Sequence, residues 1–156
     1  MAEDTDTKLL DYSGKDQVLP FAILHEKYKS NKSVVRFTTG FPNVDKHLGG
    51  GLALGELYVV SGETKNGKSL LLQSITKNLE MQQANPLWFQ FEVPPRQFFA
   101  QFPKLPTGFM PNELTPYSLP WIEQRAQESY EKYNTRVVFI DHLHYLFDMG
   151  RTKNPS

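Results

Sequence analysis

"GETKNGKS", residues 62–69, stands between the apolar run "ELYVV" (56–60) and "LLLQSITKNLEMQQ" (70–83). The first flank is short, rich in β-branched and aromatic residues, and stopped by Gly62, which predicts a buried strand over 56–62. In the second flank Leu71, Leu72, Ile75 and Leu79 recur at helical spacing until "NP" at 85 and 86, which predicts a helix from Gly67 to about Gln83. Strand, glycine loop and helix in that order form an anion cradle: glycines permit close approach, backbone N–H groups converge, and the helix N-terminus favours negative charge. All eight positions fit G-x-x-x-x-G-K-[ST], so Gly62, Glu63, Thr64, Lys65, Asn66, Gly67, Lys68, Ser69 and the following Leu70 are the candidate nucleotide-binding residues. Lys68 is placed to reach the β- and γ-phosphates, and Ser69 to bind Mg²⁺ through its hydroxyl.

Downstream, "PLWFQFEV" (86–93) predicts a second strand ended by Pro94 and Pro95, and "RVVFID" (136–141) a third. Between them "RQFFAQF" predicts a short helix. Prolines 103, 106, 111, 116 and 120 mark an irregular loop, and Leu119, Ile122, Ala126, Tyr130 and Tyr133 form a helical stripe. Alternating strands and helices imply an α/β three-layer sandwich, or part of one, with a mostly parallel sheet. Such a sheet gathers ligands at the C-terminal ends of its strands. Asp141, ending "VVFID", is therefore the candidate second Mg²⁺ ligand, against the plain alternative of a turn aspartate. Glu92, closing "LWFQFE", is the candidate for polarising an attacking water, against the alternative of a solvated glutamate before a proline turn. With Lys68 it makes up the candidate catalytic pair. His142 and His144 alternate just past Asp141, but two histidines without a further ligand motif make a weak metal site. Trp88, Phe89, Phe91, Phe98, Phe99 and Phe102 offer base-stacking rings; their place on and beside a buried strand favours a core role.

The 156 residues carry 17 basic and 17 acidic side chains, so no global charge points to nucleic acid. Residues 1–16 hold five acids against two lysines and are read as a flexible acidic tail, 17–35 as a solvated connector, and 36–156 as the α/β segment. The chain lacks cysteine, which excludes disulfides, thiolate zinc sites and cysteine nucleophiles. No apolar run approaches the roughly 20 residues that span a bilayer, and the acidic N-terminus is unlike a signal peptide, so a cytoplasmic location without membrane partners is expected.

"FTTGFPNVDKHLGGGLALGELYVVSGETKNGKSLLLQSI", "LWFQFEVPP" and "VVFIDHLHYL" together resemble, in order, the ATPase core of RecA-like hexameric DNA helicases of the bacterial DnaB and mitochondrial Twinkle type. The similarity runs from about Arg36 to the C-terminus, and the threonine-glycine turn with its glycine-rich approach is more specific than the phosphate loop. RecA-type recombinases and KaiC-like ATPases share much of this architecture. The resemblance implies ATP and Mg²⁺ as cofactors, ATP hydrolysis coupled to movement on single-stranded DNA, and a homo-hexameric ring. It assigns Lys68, Ser69, Asp141 and Glu92 the roles given above. In that family a further strand lies between the strands ending at Asp141 and Gly62, and this sequence has no candidate for it. The γ-phosphate sensor, the DNA loops and the arginine finger of the family also lack counterparts. The expectation is an incomplete ATPase core whose sheet edges are exposed and whose isolated turnover is slow. The alternative is a nucleotide-binding module, or a RecA- or KaiC-like fragment, without helicase activity.

Overall fold

The computed structural model describes residues 12–29, 34–63, 65–114 and 118–142. Thr64, His144, most of the acidic tail and all residues after His142 lie outside them. The chain divides into two compact units, Met1–Val34 and Val35–Ser156. In the first, helix α1 (Phe21–Tyr28) follows Pro20 and buries no residue. Phe21 and Ile23 are exposed.

The second unit opens with a small antiparallel ladder that the sequence reading does not anticipate, β1 (Arg36–Phe37) on β2 (Leu52–Ala53). Arg36 Nη1 donates to the carbonyls of Leu48 (2.8 Å) and Gly51 (3.1 Å) and so ties the glycine-rich turn to the strand. Gly51 adopts φ +116°, and a Cβ there would stand 2.4 Å from the Phe37 carbonyl oxygen, so the close approach of the two strands requires glycine. Between them lies α2 (Pro42–His47). Its Asp45 carboxylate accepts from both the N–H and the hydroxyl of buried Thr39, at 2.7 and 2.8 Å.

Helix α3 (Lys68–Met81) buries Gln73, Ile75, Thr76 and Leu79, so half of the predicted stripe lies inside and polar residues complete the face. It anchors the threonine-glycine turn. Gln82, just past its end, accepts from the Thr38 N–H at 2.8 Å and donates to the Thr38 carbonyl at 2.9 Å; Asn78 donates to the Thr39 carbonyl at 2.9 Å.

Strands β3 (Leu87–Gln90) and β4 (Val138–Asp141) pair in parallel, with Gln90 opposite Asp141. Both are shorter than predicted. Between them run α4 (Pro95–Ala100), the loop, and α5 (Leu119–Tyr133). The Ser118 side chain caps α5 by accepting from the Trp121 N–H. On the other edge of β3, Phe109 of the loop forms an isolated parallel bridge with Leu87.

The pleat of this ribbon sorts the core into two clusters. Trp88 and Phe139 pack with Ile75 and Leu79 of α3 and with Phe98 and Phe102. Leu87 and Phe89 pack with Ile122 of α5, backed by Trp121, Ala126 and Ile140. Helices therefore cover both faces of the ribbon. Phe89 is fully buried, and truncating such a ring costs about 3–5 kcal/mol. The aromatics are core, as expected, apart from Phe99 at 42% exposure. The α5 stripe is turned from its predicted setting: Ile122 and Ser129 are buried, while Leu119, Tyr130 and Tyr133 face outward. Ser129 and Thr135 share a buried hydrogen bond, 2.6 Å, which accounts for a serine inside.

One expectation is corrected. Residues 56–62, predicted as a buried strand, lie outside both ladders, with Leu57 and Val59 at 90% and 71% exposure. Apolar β-formers make a strand only when a neighbour supplies ladder bonds, and none does so among the described residues. The architecture seen is mixed α/β with two two-stranded sheets, one parallel and one antiparallel. Among the described residues no helix is long and apolar enough to cross a membrane.

Candidate functional site

The loop after residue 61 turns through two left-handed residues, Lys65 (φ 68°) and Gly67 (φ 78°). At Gly67 a Cβ would find nothing within 4 Å, so conformation rather than space calls for glycine there. This turn delivers the first residues of α3. Lys68 Nζ folds back over the loop and donates to the carbonyls of Gly62 (2.9 Å) and Glu63 (2.8 Å). Gly62, Glu63, Lys65, Asn66 and Leu70 are exposed around it.

One residue further on, Ser69 Oγ donates to Asp141 Oδ2 at 2.8 Å. These residues are 72 apart in sequence, and they meet because the N-terminus of α3 and the C-terminal end of β4 reach the same place. Asp141 is buried at 8% exposure. A carboxylate so enclosed needs donors. It has a second in Gln90, whose Nε2 donates to the same Oδ2 at 2.9 Å. The sequence reading passes over Gln90; its position opposite Asp141 in a parallel register is the signal that finds it.

Glu92 does not close β3. It stands two residues past the strand in a bend, with an exposed carboxylate, because Gln90 Oε1 accepts from the Glu92 N–H (2.8 Å) and the Val93 N–H (3.4 Å) and turns the chain away from the ladder. The parallel register and the bond from Phe91 N–H to the Asp141 carbonyl (3.3 Å) keep this bend at the edge that carries Asp141. Hydrogen bonds thus join Ser69, Asp141, Gln90 and the backbone of Glu92, while Lys68, next to Ser69, is turned to the loop carbonyls. Thr64 lies outside the described residues.

Ser69 and Asp141 supply hard oxygen donors, the type Mg²⁺ takes. Among the described residues no three His, Asp or Glu side chains converge. An ion here would thus be completed by phosphate oxygens and water, which is the ordinary arrangement for Mg²⁺ beside a nucleotide. His142, next along, is left-handed at φ 74° and exposed. A cavity of about 190 Å³ lined by Trp88, Phe98, Phe102, Phe109 and Met110 among others belongs to the aromatic core on the α3 side, apart from these residues. No protein-family model matches this chain, and no curated protein matches it significantly.

Proposed function

We propose that the chain binds Mg-ATP at residues 62–70 and is the ATP-binding segment of a RecA-like helicase core of the DnaB and Twinkle type, with α3, β3, β4 and α5 as part of its three-layer sandwich. The observation that carries the nucleotide reading is the 2.8 Å contact between Ser69 and Asp141. A glycine loop alone is shared by many turns. A loop hydroxyl joined to a buried carboxylate at the end of a parallel strand is what a phosphate-bound Mg²⁺ requires. Lys68 then leaves its two loop carbonyls for phosphate oxygens, and the exposed Glu92 orients and polarises the attacking water. In a helicase of that type such a segment would serve ATP hydrolysis coupled to movement on single-stranded DNA as a homo-hexameric ring; that part rests on the resemblance of the three motif stretches.

A second reading has its own support. Ser69 and Asp141 are in contact, whereas Glu92 is exposed past the end of its strand. This favours a nucleotide-binding module without turnover when the chain is alone. Titration with a fluorescent ATP analogue and Mg²⁺, comparing wild type with Lys68→Ala, tests the common core of both readings: the variant is expected to lose binding by at least about tenfold, the worth of one charge-assisted contact. Equal binding by both proteins removes the phosphate-loop assignment. Glu92→Gln separates the two readings, since it should keep binding and abolish whatever DNA-stimulated hydrolysis the wild type shows.

A further inference from the structure

Gln90 is 3% exposed, yet its side chain spends both ends of its amide on the site. Its Nε2 donates to Asp141 Oδ2 at 2.9 Å, and its Oε1 accepts from the Glu92 N–H at 2.8 Å and the Val93 N–H at 3.4 Å. We propose that Gln90 is a positioning residue that couples the carboxylate of the metal site to the bend carrying Glu92, so that an ion drawn to Asp141 also sets the place of the water-polarising group. The inference rests on the nucleotide reading above for its ligand, but the coupling itself is a property of the protein.

The chemistry singles out a neutral amide. A buried carboxylate needs a donor, and a backbone N–H turned inward needs an acceptor; glutamine supplies both without adding charge. Glutamate at this position would set a second carboxylate against Asp141, and an apolar residue would leave the Glu92 N–H without its acceptor. Ser69 and Gln90 donate to the same oxygen. With Ser69 engaged by a bound Mg²⁺, the Gln90 bond would remain as the outer contact that fixes the carboxylate's orientation, a kind of contact whose loss typically weakens metal binding by about 10- to 100-fold. A movement of the Asp141 side chain therefore reaches the Glu92 and Val93 N–H groups through the Gln90 amide, beside the main-chain bond from the Phe91 N–H to the Asp141 carbonyl.

Gln90→Met keeps the length and apolar volume and removes both hydrogen bonds, so it separates coupling from packing. With Mg²⁺ and a non-hydrolysable ATP analogue as probes, we expect the Mg²⁺ concentration for half-maximal nucleotide binding to rise about tenfold or more in the variant. The backbone amide resonances of Glu92 and Val93, which should move when Mg²⁺ is added to the nucleotide-bound wild type, should then stay in place. An unchanged Mg²⁺ midpoint with the same amide shifts overturns the proposal while leaving the nucleotide reading intact. A nucleotide-free arm covers both poor folding of the variant and a failure of the wild type to bind nucleotide. Asp141→Asn in the otherwise native chain should move the Gln90 side-chain amide together with the Glu92 and Val93 resonances. If those signals do not move, Gln90 does not couple the two residues. Absence of nucleotide binding by the wild type, with this arm positive, would overturn the ligand assignment and keep the coupling.

Discussion

Ser69→Ala isolates the contact that joins the two halves of the site. In the native chain Asp141 Oδ2 receives the Ser69 hydroxyl at 2.8 Å and the Gln90 amide at 2.9 Å. A hydrogen bond to a charged group contributes about 1.5–3 kcal/mol to stability. Two features move the expected loss to the lower end of that range. Gln90 still donates after the substitution, and Ser69 is only half-buried, so water reaches part of the space its hydroxyl leaves. The expected destabilisation is therefore about 1.5 kcal/mol, which in a domain of this size lowers the melting temperature by roughly 3–6 °C. Attributing that loss to the pair requires a double-mutant cycle. Urea unfolding of wild type, Ser69→Ala, Asp141→Ala and the double variant should give a coupling of about 1 kcal/mol or more. The Gln90 amide orphaned by Asp141→Ala is common to the single and double variants and cancels. A coupling within about 0.3 kcal/mol of zero, at unchanged m-values, would show that the two residues do not meet in solution and would remove the observation on which the proposed function stands.

Other perturbations follow from the same structure. Glu80 is held below the usual carboxylate range because its carboxylate accepts from the Thr107 N–H and hydroxyl, both at 2.8 Å. Its folded value lies below its unfolded one, so the contribution is full above the ordinary value of 4.5 and is lost as pH falls through the depressed value. Melting curves taken downward from pH 6 should show wild type losing its advantage over Glu80→Gln in that window, and a constant difference would contradict this. Trp88→Phe removes the indole bond to Thr76 Oγ1, 3.0 Å, and enlarges the adjacent cavity, for an expected loss of about 1–3 kcal/mol in urea unfolding; a midpoint equal to wild type would deny the bond. Leu57→Lys combined with Val59→Lys should raise the concentration at which the chain stays monomeric in sedimentation, since both side chains lie exposed on an unpaired apolar run; unchanged self-association would show that this run is covered in solution.

Much of the α3, β3 and β4 arrangement is legible in the sequence because strong local signals agree with each other. Apolar β-forming runs in "LWFQ" and "VFID", helical spacing in 71–79, and proline stops each point to one element, and the packing uses them that way. The segment 56–62 departs from its expected strand for a physical reason. Residue type states a preference for strand, but a ladder needs a partner, and pairing is not written locally. Glu92 shows the same limit on a smaller scale: its expected place is right to within two residues, yet the bend that carries it is set by the Gln90 amide. The side chains that organise the lead-in, Asn78 on α3 and Gln82 just past its end, are polar residues beside a periodicity that directs attention to the leucines. They are partners to residues about 40 positions away, and no window of sequence shows that.

The Gln82 clamp also divides mutational tolerance unevenly between its two ends. At one end the bonds go only to the main-chain N–H and carbonyl of Thr38, whose side chain is exposed and takes no part in them. Any residue that can hold an extended backbone presents the same two groups, so position 38 is open to exchange. At the other end a donor and an acceptor must leave one side chain in opposite senses, which in practice confines position 82 to a primary amide of the right reach. A polar residue past a helix end is thus the more restricted of the two, and variation at 38 beside constancy at 82 would be the mark this contact leaves on a family of such chains.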